Sequence, residues 1–235
     1  MNTTEIIFVI DRSGSMSNLV NDTIGGFNGF LASQKAIEGK ATLTTALFST
    51  SWKFLHDGVD IQEVQPMTTK DYQVGGGTAM LDAIGEIINR VQDRHDEMGV
   101  EKPDKVLFVI TTDGEENSSR KYTKAQIEKM IKHQTNGHGW EFLFLGANMD
   151  AVKEAQSIGI KADRSVSYDY SSIGTDALYG TVSKAACAVR ADAMDAINLS
   201  AAYADTLSSY DACKGTAVDD LTNATLYTLE SIIGN

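Results

Sequence analysis

The stretch FVIDRSGSM, residues 8–16, decides the reading of this chain. It begins as an uninterrupted apolar strand and runs into an aspartate, an arginine and two serines separated by glycine. A buried strand needs a single polar residue to turn, whereas Asp11, Ser13 and Ser15 place three oxygen-bearing side chains at alternate positions. In extended chain that alternation aims Asp11 and Ser13 to the same side. So many oxygen donors at one strand end point to a positive species bound there.

Outward from this stretch, apolar runs of the same kind recur. IIFVI (6–10), VLFVIT (106–111) and EFLFL (141–145) are each continuous, as strands of a parallel sheet buried on both faces tend to be. Segments of helical period separate them: Val20, Ile24, Phe27 and Leu31 mark one face, Leu81, Ile84, Ile88 and Val91 a second, and Ile127, Met130 and Ile131 a third. Glycines 25, 26 and 29 lower the helix propensity of the first, but its periodicity outweighs them. ATLTTALFSTSWKFLHDGVDIQEV (41–64) alternates instead. It reads as a hairpin with strands over 41–48 and 52–56, one of them an antiparallel edge. The expected fold is α/β, doubly wound around a mostly parallel central sheet with an antiparallel edge strand and helices on both faces.

Beyond about residue 171 the composition shifts to Ala, Ser, Thr and Asp, with eight acidic residues against three basic ones. Leu178, Val182, Ala185 and Val189 keep a helical stripe, which predicts a helix over 176–195. A boundary is expected near 165–172, dividing the chain into a domain over 1–168 and an acidic, mostly helical extension over 169–235.

The 235 residues carry a formal net charge of −12, which argues against a constitutive binder of nucleic-acid backbone or anionic membrane, since both need clustered Lys and Arg. No basic leader precedes the first strand, and its apolar run is too short for a signal-peptide core or a membrane span, so a cytoplasmic protein is expected. Cys187 and Cys213 lack CxxC or zinc-like spacing and read as reduced thiols.

Asp113 follows the strand ending in ITT, and Thr78 follows three glycines just before the Leu81 helix. Ligand sites of open α/β sheets form at the carboxyl ends of strands, so three segments deliver oxygens to one edge. Two carboxylates and three hydroxyls form a set chosen by hard cations such as Mg²⁺ and Mn²⁺; Mg²⁺ keeps octahedral geometry at about 2.1 Å and retains several waters. Singly, each residue has a plainer reading. Ser13, Ser15 and Thr78 suit helix N-caps, glycines 75–77 a flexible turn, and Asp113-Gly114 an ordinary turn. Their joint occurrence at three strand ends favours the metal site. The four histidines, 56, 95, 133 and 138, have no zinc spacing and read as surface residues. No GxSxG elbow or phosphate loop is present. Glu115, Glu116 and the Asp93, Asp96 and Glu97 cluster read most simply as solvated charge, with Glu115, Glu116 and Asn117 as a rim beside Asp113 the alternative, and Trp52 and Trp140 read as packing residues.

Asp11-x-Ser13-x-Ser15, an isolated Thr78 and an Asp113 followed by glycine resemble the metal-ion-dependent adhesion site (MIDAS) of von Willebrand factor type A (VWA) domains, and the resemblance covers about residues 4–165. It implies a Rossmann-like VWA fold of the bacterial or phage intracellular type. It further implies that Ser13, Ser15 and Thr78 bind a metal directly, with Asp11 and Asp113 bonding it directly or through water, and that an Asp or Glu of a partner protein fills the sixth position. The expected function is therefore a non-catalytic, metal-dependent protein-binding module, with Mg²⁺ as the ion and Mn²⁺ or Ca²⁺ as alternatives. Two other readings stand beside it. One is a magnesium-dependent phosphotransfer enzyme of haloacid-dehalogenase type, which would need a second Asp where Ser13 stands. The other is a scaffold acting through the acidic helical tail.

Overall fold

The computed structural model describes residues 3–147, 149–194 and 198–213. Six strands, β1 (Thr4–Asp11), β2 (Ala41–Phe48), β3 (Trp52–Asp60), β4 (Lys105–Thr112), β5 (Glu141–Ala147) and β6 (Ser165–Tyr168), form one sheet in the order β3-β2-β1-β4-β5-β6. All neighbours pair in parallel except β2 and β3, which form the antiparallel edge expected from the alternating segment. The helices among the described residues are α1 (Val20–Lys35), α2 (Met80–Met98), α3 (Lys124–His138), α4 (Ala151–Ser157), α5 (Ser172–Arg190) and α6 (Leu199–Cys213).

Burial on both faces explains the uninterrupted apolar runs. Ile6, Phe8 and Ile10 of β1 pack with Phe27, Phe30 and Leu31 of α1 and with Leu178 and Val182 of α5. Ile7 and Val9 point the other way, among Ile84, Ile88 and Val91 of α2 and Ile127 and Ile131 of α3. Each such side chain stabilises the fold by about 1.5–3 kcal/mol. Every residue from Ile6 to Ile10 thus belongs to one core or the other, and the sheet is the middle of three layers.

Strand order fixes where a ligand can approach. From β1 the chain passes through α1 to β2 on one side, and α2 later carries it across to β4 on the other. The connections leaving β1 and β4 therefore diverge, which opens a crevice at the carboxyl ends of the two strands.

Several details depart from the sequence expectations. The second hairpin strand runs to Asp60 rather than residue 56, and the helix expected over 176–195 spans Ser172–Arg190. β6 and α4 are short and had no sequence signal. The expected division at 168/169 falls between β6 and α5, yet α5 buries Ala177, Leu178, Val182 and Ala185 in the core that α1 joins. Gly26 permits that approach, because a β-carbon there would stand 2.2 Å from the Tyr179 ring. Residues 214–235 of the expected extension lie outside the described residues.

His95 corrects the reading of all four histidines as surface groups. It is buried on α2, its Nε2 lying 2.6 Å from Oε2 of the equally buried Glu5 on β1. Arg94 also pairs with Glu5 and reaches Asp57, and the Thr44 hydroxyl donates to Glu5 Oε1 at 2.5 Å. His56 is half-buried, while His133 and His138 are exposed. No helix among the described residues is long and apolar enough to cross a membrane.

Candidate functional site

Three loops meet at the crevice, joined first by backbone. The Gly14 amide donates to the Gly76 carbonyl at 3.1 Å, and the Gly75 amide to the Arg12 carbonyl at 2.8 Å, which ties the loop after β1 to the loop before α2. Gly76 has φ of 81°, a backbone conformation that glycine adopts without strain. The loop after β4 closes the third side: the Asn117 and Ser118 amides donate to the Thr78 carbonyl, and Asn117 Oδ1 accepts from the Thr78 amide at 2.9 Å.

All five residues expected from sequence lie at these loops. Asp11 is fully buried at the end of β1; its Oδ1 accepts the Ser13 amide at 2.6 Å, and its Oδ2 accepts the Thr112 hydroxyl at 2.7 Å. Ser13 Oγ and Ser15 Oγ are 3.0 Å apart and share a hydrogen bond, and Ser15 Oγ donates to Asp113 Oδ1 at 2.6 Å. Thr78 enters from the opposite wall: a β-carbon on Gly114 would stand 3.7 Å from Ser15 Oγ and 3.8 Å from Thr78 Oγ1. Ser15 is exposed, so the cluster opens to solvent.

The capping alternative receives no support from the hydroxyls. Ser13 sits at the N-cap of a 3-10 helix over Gly14–Leu19 without a side-chain cap hydrogen bond, and α2 begins after Ala79, again without one. Glu116 serves that helix end instead, accepting from the Leu81 amide at 2.9 Å and from the amides of Ser118 and Ser119. This carboxylate, read from sequence as solvated charge or part of a rim, braces the third loop against α2.

Electrostatics set the site apart. Burial pushes the Asp11 carboxyl up to about 6, against the hydrogen bonds from Thr112 and Ser13 that favour its charged form, and the nearby Asp113 adds to the rise. Burial likewise raises Asp113, opposed by the Ser15 hydroxyl. Among the described residues no ion pair reaches either carboxylate. Arg12, next in sequence, turns away to the Gln73 carbonyl at 3.1 Å. Two buried carboxylates without an ion-pair partner among the described residues, surrounded by hydroxyls, suit a hard divalent ion. The described residues hold no cluster of three or more His, Cys, Asp or Glu, so an ion at this site would depend on the hydroxyls beside its two carboxylates.

Sequence reasoning missed the residues that hold this site in place. The Tyr72 and Tyr170 hydroxyls donate to the backbone carbonyls of Asp11 and Ser15, both at 2.5 Å. Thr112, the last residue of β4, donates its hydroxyl to Asp11 and so orients it, and accepts the Gly114 amide at 3.3 Å. The Thr-Asp-Gly order at 112–114 is the one local signal that could have identified Thr112. The tyrosines act across the fold and carry none.

No protein-family model matches the chain, and no curated protein matches it. Solved structures do. A von Willebrand factor type A protein from Catenulispora acidiphila superposes with a TM-score of 0.55 at 15% identity, covering 77% of this chain and 42% of that one. Proximal thread matrix protein 1 from the mussel byssus, with zinc occupying its MIDAS motif, gives 0.54 at 16% identity, covering 79% and 46%. Manganese-loaded TRAP protein of Plasmodium vivax gives 0.52 at 16% identity, covering 72% and 69%. This chain spans less than half the length of the first two. At such identities the likeness establishes the VWA fold and leaves the chemistry to the residues.

Proposed function

We propose that this chain, which has the VWA fold, is a non-catalytic, metal-dependent protein-binding module whose ion, Mg²⁺ first among the candidates, is held by Asp11, Ser13, Ser15, Thr78 and Asp113. One observation carries the reading: three hydroxyls released from capping duty converge on two buried carboxylates that lack any ion pair among the described residues. The ion would supply a Lewis-acidic coordination position open to a carboxylate from outside. Ser13, Ser15 and Thr78 would bind it as neutral ligands, preserving its positive charge toward that carboxylate. Asp11 and Asp113 would balance the ion, directly or through water, while Thr112 and the Ser13 amide hold Asp11 in place. The partner is a protein presenting an Asp or Glu. Zinc in the mussel relative's MIDAS motif and manganese in the Plasmodium relative support a divalent ion on this fold.

The phosphotransfer reading lacks its second acid, because the residue two positions after Asp11 is Ser13, whose hydroxyl bonds Ser15. Calorimetric titration with Mg²⁺, together with affinity capture from lysate by wild type and Ser13→Ala, each with magnesium and with chelator, tests the proposal. The expected result is saturable ion binding and a partner retained only by wild type with magnesium. Wild type without ion binding would overturn it.

A further inference from the structure

We propose that the cavity beside the Thr78 loop receives an arginine or lysine side chain of the same partner whose carboxylate completes the metal site, so that the protein recognises an acidic and a basic residue a short distance apart. This rests on the metal-bridging reading above. The cavity, ≈ 290 Å³, lies between the β2–β3 turn and the first turns of α2, lined by Thr50, Trp52, Ala79, Asp82, Glu86 and Lys121 among others. Ala79 directly follows Thr78, and the Thr50 hydroxyl accepts the Gly77 amide at 2.9 Å, so cavity and site share a wall. Its volume is at the small end for ligand pockets, which fits one long side chain better than a cofactor.

The lining selects the charge of the occupant. Two carboxylates face one ammonium. Asp82 accepts the amides of Arg120, Lys121 and Tyr122 at 2.8–2.9 Å; these outweigh its burial and hold it below the usual carboxylate range, so it stays charged. Glu86 is paired with Lys121, an exposed side chain that also lies 5.2 Å from the Tyr122 ring centroid. Lys121, in a single position, meets both Glu86 and the Tyr122 ring, and so marks where a cation sits; a partner's cation would share Glu86 with it on the cavity side. Trp52, held edge-on against Phe54 with ring centroids 5.1 Å apart, adds an indole wall. Guanidinium and ammonium groups bind indole faces, arginine more often.

Geometry then sets the spacing in the partner. Glu86 lies about 10 Å along α2 from the Thr78 end, at 1.5 Å per residue. An extended segment advances about 3.3 Å per residue, so a basic residue two to four positions from the acidic one reaches Glu86.

Selection of a displayed random peptide library on the full chain, with magnesium and with chelator, tests the inference, and calorimetry on the same preparations reads Mg²⁺ binding separately. The expected outcome is magnesium-dependent enrichment of an Asp or Glu with an Arg or Lys two to four positions away. Selection on Glu86→Gln or Trp52→Ala keeps the acidic residue and loses the basic one. In a selected peptide, Arg→Ala weakens binding to wild type about tenfold and leaves binding to Glu86→Gln within about twofold. Enrichment of the acidic residue without a basic neighbour, or basic enrichment unchanged in both variants, overturns the pocket and leaves the metal site standing. Enrichment indifferent to chelator, or no enrichment, overturns the pocket as well; Mg²⁺ calorimetry then decides whether the ion site falls with it.

Discussion

Glu5 near the start of β1 and Asp11 at its end are both buried, at 1% and 0% exposure. At Glu5, burial raises the carboxyl, but the hydrogen bond with His95, the Arg94 charge and the Thr44 hydroxyl together pull it below its ordinary value. At Asp11, hydroxyl and amide hydrogen bonds do not offset burial, and the carboxyl rises to about 6. One strand thus carries a carboxylate compensated from within the fold and another that is not. The first is an internal brace between β1 and α2. The second is placed where the crevice opens, and a cation from solution is the compensation that fits it.

The most forceful way to break this contrast is to remove a partner from the compensated end. His95→Leu leaves Glu5 Oε2 buried without its hydrogen-bond partner, while Arg94 and Thr44 still hold Oε1, and a buried charged group left short of a hydrogen bond costs about 3 kcal/mol. Urea unfolding should show that loss, while calorimetry of the folded variant should show Mg²⁺ binding unchanged. Loss of ion binding at full folding would mean that the two ends are not separate.

Nearly as large is the effect of pH on the metal-free protein, where the two ends have opposite signs. A carboxyl raised in the folded state contributes stability that is present below its unfolded value and lost as pH rises through the folded one. For Asp11, from 3.8 to about 6, that amounts to about 3 kcal/mol lost on going up in pH. Glu5, lowered from 4.5, contributes stability above that value, which is lost as pH falls through its folded value. Urea midpoints of wild type and Asp11→Asn in chelator between pH 4 and 7 isolate the first contribution: the difference between them should favour the variant increasingly as pH rises. A constant difference would show that Asp11 is compensated after all.

How far this contrast could be read from sequence follows from the range of the interactions behind it. The strands of the central sheet were legible because burial on both faces demands unbroken apolar runs, and the five proposed site residues because they lie at or within four positions of the ends of β1, β4 and α2. Glu5 was not, since a lone acid in TEIIFVI reads as a strand end, and its compensation comes from α2, about ninety positions away. β6 was not, because SVSY has two polar residues and exposes one of them at the sheet edge. Gly26, read as a weakness of α1, is the contact point for Tyr179, and nothing in the α1 sequence reveals α5. Residues whose roles depend on distant partners carry no local pattern.

Supplying the ion sharpens the comparison by compensating the second end. At a free Mg²⁺ concentration of a hundred times its dissociation constant, wild type should gain about 2.7 kcal/mol, read as a rise in unfolding midpoint over the same protein in chelator. Ser15→Ala, which removes a hydroxyl bonded to both Ser13 and Asp113, should lose most of that gain while folding normally in chelator. An equal gain in the variant would remove Ser15 from the ligand set.

The smallest expected effect concerns how the site is held. Tyr72 and Tyr170 bind the carbonyls of Asp11 and Ser15 rather than their side chains, so the loop is fixed while its carboxylate and hydroxyl oxygens stay turned toward the crevice. At the other end of β1 the partners of Glu5 bind the carboxylate itself, which fills it. Tyr170 belongs to the segment leading from β6 into α5, so it also links that helix to the loop after β1. Tyr170→Phe removes one hydrogen bond of about 1 kcal/mol and keeps the ring packing. The carbonyl of Ser15 is then free to move and every proposed donor remains, so Mg²⁺ affinity should fall by no more than about tenfold, whereas Ser15→Ala should lose most of it. If the two variants lost equal affinity, Ser15 would matter through its backbone position, and the division between the atoms that hold the loop and the atoms that face the ion would fail.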